Sequence, residues 1–148
     1  GETLGYVFVE LTKFVGGSYQ LKVKEAAQIH LNVDKDGFQW WDSVSDQITD
    51  LIAHEPDVIV LEDYRVYASK AAAHIGSRVL TSELIGALCH EAAVSLTPVT
   101  RIAAGRKGRW PPARLKAKLT LDIAIPTPHA ADALILALIY AEDEGWIP

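Results

Sequence analysis

The spacing of hydrophobic positions changes repeatedly along this chain, and each change predicts an element. Leu4 to Leu11 sets Tyr6, Phe8 and Glu10 on one side and Val7, Val9 and Leu11 on the other, a strand buried on both faces for most of its length. Gly16-Gly17 then turns the chain into Ser18 to Lys24, where Tyr19, Leu21 and Val23 alternate with Gln20, Lys22 and Lys24, the period-two pattern of a strand with one wet face. After a short break, a third strand over about Ala27 to Val33 completes a predicted antiparallel meander.

From Phe38 to about His54 the period lengthens: Trp40, Trp41, Val44, Ile48, Leu51 and Ile52 recur at helical spacing, with Asp42 and Asp46 early enough to favour the positive end of a helix. Pro56-Asp57 stops it, and Val58 to Leu61 is a short, wholly apolar run of the kind found in central parallel strands, ending at Glu62-Asp63. A long helix is predicted over Ser69 to Ala93, a strand over Val94 to Ala103, a basic loop over Arg106 to Arg109, a short helix over Pro111 to Leu119, and a last helix from Pro128 to about Glu144. The order β-β-β-α-β-α-β-α-α describes an α/β domain with a mixed sheet. At 148 residues, with no linker, repeat or low-complexity stretch, residues 1–148 read as one domain with one core.

Composition narrows the function classes. Hydrophobic residues at 49% and charged residues at 22% are those of a soluble globular protein, and acids, His or Lys interrupt every apolar stretch too early for a membrane span. Cys89 is the single cysteine, so no internal disulfide is possible; a reducing, cytoplasmic setting fits, with the thiol as core packing. The net charge of −5 weighs against a general nucleic-acid binder, because non-specific affinity comes from Lys and Arg neutralising phosphates. The distribution of charge qualifies this. Arg101, Arg106, Lys107, Arg109, Arg114, Lys116 and Lys118 crowd into a segment without any Asp or Glu, a local basic patch on an acidic chain. The chain also contains no methionine and opens on Gly1, so its natural start is expected upstream.

Two clusters carry candidate chemistry. Glu62 sits where the most apolar strand reaches its carboxyl end, the edge at which open α/β sheets gather ligands; the competing reading is that Glu62 and Asp63 merely end a strand in water. His129 and Asp132, three residues apart near the start of the last helix, share one face, with Ala130, Ala131 and Ala133 small enough for the helix to lie against a sheet. Their competing reading is first-turn dipole chemistry and a residue of the cap.

A third signal is the opening Gly1-Glu2-Thr3-Leu4-Gly5-Tyr6, which resembles the end of the Asp-Pro-Gly-x-Thr-x-Gly-aromatic motif of RuvC-type Holliday junction resolvases. Val60-Leu61-Glu62-Asp63-Tyr64 resembles that family's second acidic strand, and His129-Ala130-Ala131-Asp132-Ala133-Leu134 its closing acidic helix. The motifs stand in the family's order and span nearly the whole chain. The resemblance implies an RNase H-like fold, an antiparallel meander plus parallel strands flanked by helices. It also implies a metal-dependent endonuclease cutting four-way or other branched DNA. Two Mg²⁺ or Mn²⁺ ions would be held by Glu62 and Asp132, with His129 as a ligand or as a group orienting water. The family's first catalytic aspartate would lie just upstream of Gly1, and without it the metal site lacks a central ligand.

Near the predicted catalytic edge the seven cations would grip several phosphates, and Trp110, flanked by Arg109 and Pro111 inside the patch, would stack on an unpaired base; simple packing is the competing reading for Trp110, and a solvated surface for the cations. The helix over Ser69 to Ala93 resembles the one through which family members form homodimers, with Ala72 and Gly76 allowing close approach, unless those small residues pack on the chain's own sheet. No small-molecule cofactor is implied. Three rivals remain: a branched-DNA binder or structural domain that does not cut, another RNase H-like nuclease, and a phosphate-binding ATPase of the actin and sugar-kinase type. The last requires two such lobes to enclose a nucleotide.

Overall fold

The computed structural model describes residues 3–17, 19–30, 37–63, 75–111 and 127–147. The chain forms two compact units, one of Gly1–Glu2 with His30–Arg101 and one of Thr3–Ile29 with Ile102–Pro148.

In the first unit, β3 (Ile59–Asp63) and β4 (Val99–Ala103, whose last two residues fall in the second unit) are hydrogen-bonded neighbours running parallel. The amide of Ile59 donates to the carbonyl of Pro98 at 2.9 Å. Parallel strands require a long crossover, and α2 (Ile75–Val94) lies between them in the chain. Its residues Leu84, Leu88 and Ala92 recur every fourth position and are buried, the stripe expected of a helix with one covered face. Helix α1 (Gly37–Ile52) packs on α2 and buries Ile48. The apolar run of β3 is only half-buried, so Glu62 and Asp63 close a strand that is less enclosed than its composition suggests. The strand expected from Val94 starts instead at Val99, because Val94 completes α2 and Ser95 to Pro98 cap it. There Thr97 N–H donates to Ala92 O at 2.8 Å and Leu96 N–H to Ala93 O at 3.1 Å, the paired bonds of a Schellman ending.

The second unit begins with a hairpin of β1 (Thr3–Lys13) and β2 (Tyr19–His30), joined through Phe14 to Gly17. Its predicted alternation holds: Gln20, Lys22 and Lys24 are exposed while Val23 is buried. Residues 4–9 of β1 are half-buried rather than covered on both faces. The predicted break before Ala27 is not present. Strand β2 runs unbroken to His30, because Glu25-Ala26-Ala27 offers no Gly, Pro or Asn to turn the backbone, so the supposed third strand is in part the second half of β2. Residues 31–36, which include the rest of that strand, lie outside the described residues, as does the short helix expected over Pro111 to Leu119 beyond Pro111.

Helix α3 (Pro128–Asp143) dominates this unit. Ala130, Leu134, Leu138 and Ala141 form one buried stripe, and Leu136 and Ile139, on the opposite side, are buried too, so the helix is enclosed between neighbours. Strand β1 is one of them. The approach is tight at Gly5: a Cβ there would collide with the backbone carbonyl of His129 and come within 2.6 Å of the Ala130 amide nitrogen. Glycine alone permits strand backbone to lie on helix backbone in this way. Among the described residues no helix is long and apolar enough to cross a membrane.

Two expectations follow for stability. Gly5→Ala should destabilise by about 3 kcal/mol, since the obstacle is backbone that cannot rotate away; a chemical-denaturation midpoint unchanged from wild type would refute the close approach. The helix endings should respond with opposite signs. Gly145 (φ 75°) closes α3 and Leu96 (φ 56°) closes α2 in the same left-handed conformation, which penalises a side chain. Gly145→Ala should lose about 1 kcal/mol, and Leu96→Gly should gain up to about 1 kcal/mol, read as shifts in Tm.

Candidate functional site

The start of α3 is locally determined. Thr127 has an extended backbone, its hydroxyl accepts from the amide of Ala130 at 3.2 Å, and Pro128 fills the first turn, where its missing N–H is not needed. The buried Ala130 faces β1, and the three-residue spacing carries His129 and Asp132 together onto the exposed side of the first turn. Gly5, from the opening motif, thus lies against the residues of the closing motif.

A tight 3-10 turn over Ala104–Arg109 packs on the same helix. Asp132, Leu136, Ile139 and Asp143 follow one another along one helix face, an acid at each end and buried apolar residues between. Lys107 reaches Asp132 (Nζ to Oδ2, 3.1 Å). Arg106 donates to both carboxylate oxygens of Asp143 at 2.7 and 2.6 Å, a bidentate fork. The two acids stand about 16 Å apart along the axis at 1.5 Å per residue, so neighbouring cations on the turn splay toward opposite ends of the helix. The fork holds the Asp143 carboxyl below the ordinary range, with Arg109 adding to the effect, and raises Arg106 further.

Trp110 follows the turn and is 1% exposed, its indole N–H donating to Glu142 at 2.9 Å. This corrects the base-stacking role considered for it: the ring is enclosed, and it fixes the turn to α3. The signal that reveals this, an acid thirty-two residues away at the end of the last helix, is not local in sequence.

The other expected site residues are distributed as follows. Glu62 belongs to β3 in the first unit, whereas His129 and Asp132 belong to the second. Arg101 is exposed in the first unit, with Nη2 3.6 Å from the Cys89 sulfur. Arg109 is exposed on the turn. Arg114, Lys116 and Lys118, like Ala72, lie outside the described residues. Carboxylates and an imidazole are donors suited to Mg²⁺ or Mn²⁺, but among the described residues no three such groups gather at one point. No metal geometry, and no step through a metal, is therefore derived.

Solved structures that share this architecture include two of a bacterial protein. The Thermus thermophilus RuvC structure superimposes with a TM-score of 0.71 at 15% identity, covering 97% of this chain and 91% of that one. T. thermophilus RuvC in complex with a Holliday junction substrate gives 0.71 at 17% identity, covering 97% and 90%. The chain has a RuvC-like fold. No family model and no curated protein matches the sequence.

Trp110→Ala should destabilise by about 3–5 kcal/mol, the usual effect of emptying a tryptophan site, whereas an exposed stacking residue would lose almost nothing. The Asp143 carboxyl, depressed by Arg106, supports the fold at pH values above the ordinary carboxylate range, and this support fades as pH falls through its lowered pKa. Asp143→Asn should therefore destabilise near neutrality and converge with wild type in acid, measured by denaturation midpoints across pH; a difference growing toward low pH would contradict the assignment.

Proposed function

We propose that this chain is the RNase H-like core of a structure-selective endonuclease acting on four-way or other branched DNA, its two units serving one nuclease domain. The observation that carries the reading is the likeness of fold, over 97% of the chain, to a RuvC bound to a Holliday junction substrate. The first turn of α3 supports it: an exposed imidazole and carboxylate beside a turn rich in cations.

In this reading Glu62, Asp132 and His129 are the donors for Mg²⁺ or Mn²⁺, two ions per site, which would supply an activated water and a stabilised leaving oxygen when bound. The chain's own residues hold the DNA. Arg106, Lys107 and Arg109 present cations along the outside of α3, and Arg101, Arg114, Lys116 and Lys118 are proposed from the sequence as further phosphate contacts. Lys107 pairs with Asp132, and in this reading its ammonium would pass to a phosphate oxygen when Asp132 takes a metal. A homodimer would match the two-fold symmetry of a four-way junction with a pair of sites. The setting would be a cytoplasm in which DNA is replicated or recombined.

The Lys107–Asp132 pair also favours a second reading, a branched-DNA binder that does not cut, in which the lysine permanently holds the position of a metal. Cleavage of a labelled four-way junction beside linear duplex, in Mg²⁺ or Mn²⁺, separates the two in the full-length protein. Paired nicks confined to the junction are expected, reduced more than about a hundredfold by Glu62→Gln or Asp132→Asn, beyond what loss of an outer partner produces. Mn²⁺ binding, followed by electron paramagnetic resonance, should weaken in the same variants. Tight junction binding without nicks or Mn²⁺ uptake would establish the second reading, and undiminished cutting by both variants would reject the site.

A further inference from the structure

We propose that Glu142 and Asp143, on the last turn of α3, are positioning residues for DNA met at its first turn, a role that rests on the branched-DNA reading above. They hold the basic turn in place and through it set the Lys107 ammonium beside Asp132.

The basic turn has little of its own to hold it. None of Ala104–Arg109 is buried, no side chain caps its start at Ala103, and Gly105 and Gly108 are two of its six residues. Neither glycine is demanded by the conformation. Both lie outside the left-handed region, and a Cβ on either would meet nothing within 4 Å. What they contribute is backbone freedom that folding must remove. At six residues the segment is also longer than 3-10 helices usually run.

Its anchors are at the far end of α3. Arg106 donates to both oxygens of Asp143 at 2.7 and 2.6 Å, and Trp110, which ends the turn, donates its indole N–H to Glu142 at 2.9 Å. Two consecutive acids thus grip the middle and the end of the basic segment, and the enclosed Trp110 ring adds packing. From the anchor to the lysine is one further bond: the backbone N–H of Trp110 donates to Lys107 O at 3.1 Å. The Lys107 ammonium rides on a flexible four-carbon stem, so its place is only as definite as the backbone beneath it. It reaches Asp132 at 3.1 Å, about 16 Å along the axis from Asp143. A cation already in position loses less freedom on meeting a phosphate than one on a loose turn.

Charge alone predicts the opposite sign. Removing an acid from the DNA-facing side should tighten binding to a polyanion, whereas removing a positioning group loosens it. Fluorescence anisotropy of the full-length protein with a four-way junction, near neutral pH, without divalent metal and below the Tm of each variant, separates the two. Asp143→Asn and Glu142→Ala should each weaken binding several-fold, while Glu142→Gln, which keeps an oxygen for the indole N–H, should bind as wild type does. Lys107→Gln should weaken it too, lowering the salt slope by about 0.9 for one lost phosphate contact. Asp143→Asn added to Lys107→Gln should cost little more, a non-additivity foreign to independent sites more than about 10 Å apart. Gly105→Ala with Gly108→Ala, which stiffens the turn from within, should return about two- to fivefold of the affinity lost in Asp143→Asn.

Tighter or unchanged binding by Asp143→Asn, a loss that adds in full to that of Lys107→Gln, or no recovery on replacing the glycines overturns the positioning role while the branched-DNA reading stands. Should Asp143→Asn fail to fold, Glu142→Ala set against Glu142→Gln decides in the same way. A wild-type chain that does not prefer the junction to linear duplex overturns that reading, and the positioning role with it.

Discussion

The arrangement of the second unit depends on one steric fact: β1 can lie against the first turn of α3 only because position 5 has no side chain. That contact brings the opening of the sequence onto residues near its end. It also fixes the direction in which the first turn points. With Ala130 committed to the strand side, helical geometry leaves His129 and Asp132 on the open side, and the Thr127 cap and Pro128 define where the helix begins. The exposed imidazole and carboxylate are thus directed by backbone packing and capping, and Asp132 is in addition met by Lys107 from the basic turn.

Charge is arranged with comparable economy. The basic turn does not stand free in water but lies along α3, with its cations directed to acids at both ends of that helix. An exposed ion pair such as Lys107–Asp132 contributes at most about 1 kcal/mol, so these pairs orient the side chains more than they stabilise the fold. Trp110, buried and bonded to Glu142, keeps the turn itself in place.

What was legible in the sequence follows the range of the interactions involved. The hairpin alternation, the Gly16-Gly17 turn, the Thr127-Pro128 start of α3 and the shared face of His129 and Asp132 arise from neighbours within a few residues, and pattern alone finds them. The end of α2 was hidden because Leu96 occupies the left-handed position that glycine normally marks, so Val94 read as the start of a strand. The continuity of β2 was hidden by a lapse in alternation at Ala26-Ala27, which interrupts a hydrophobic pattern without interrupting a strand. The role of Trp110 and the pairing of Arg106 depend on residues thirty-two and thirty-seven positions away, and no local pattern encodes such partners. The basic segment therefore read as an open patch, although part of it is braced against a helix.

The two ends of the hairpin are held in different ways. At the α3 end its backbone is pinned by a contact that tolerates no added atom, and any group referred to that end is placed accurately. At the other end a single turn hydrogen bond and two glycines at positive φ hold the tip, so its exposed side chains can adjust without disturbing the rest. Cross-strand bonds connect the ends: Tyr6 donates to Glu25 at 2.8 Å and Lys24 pairs with Glu10, so the ribbon between them acts as a stiff spacer.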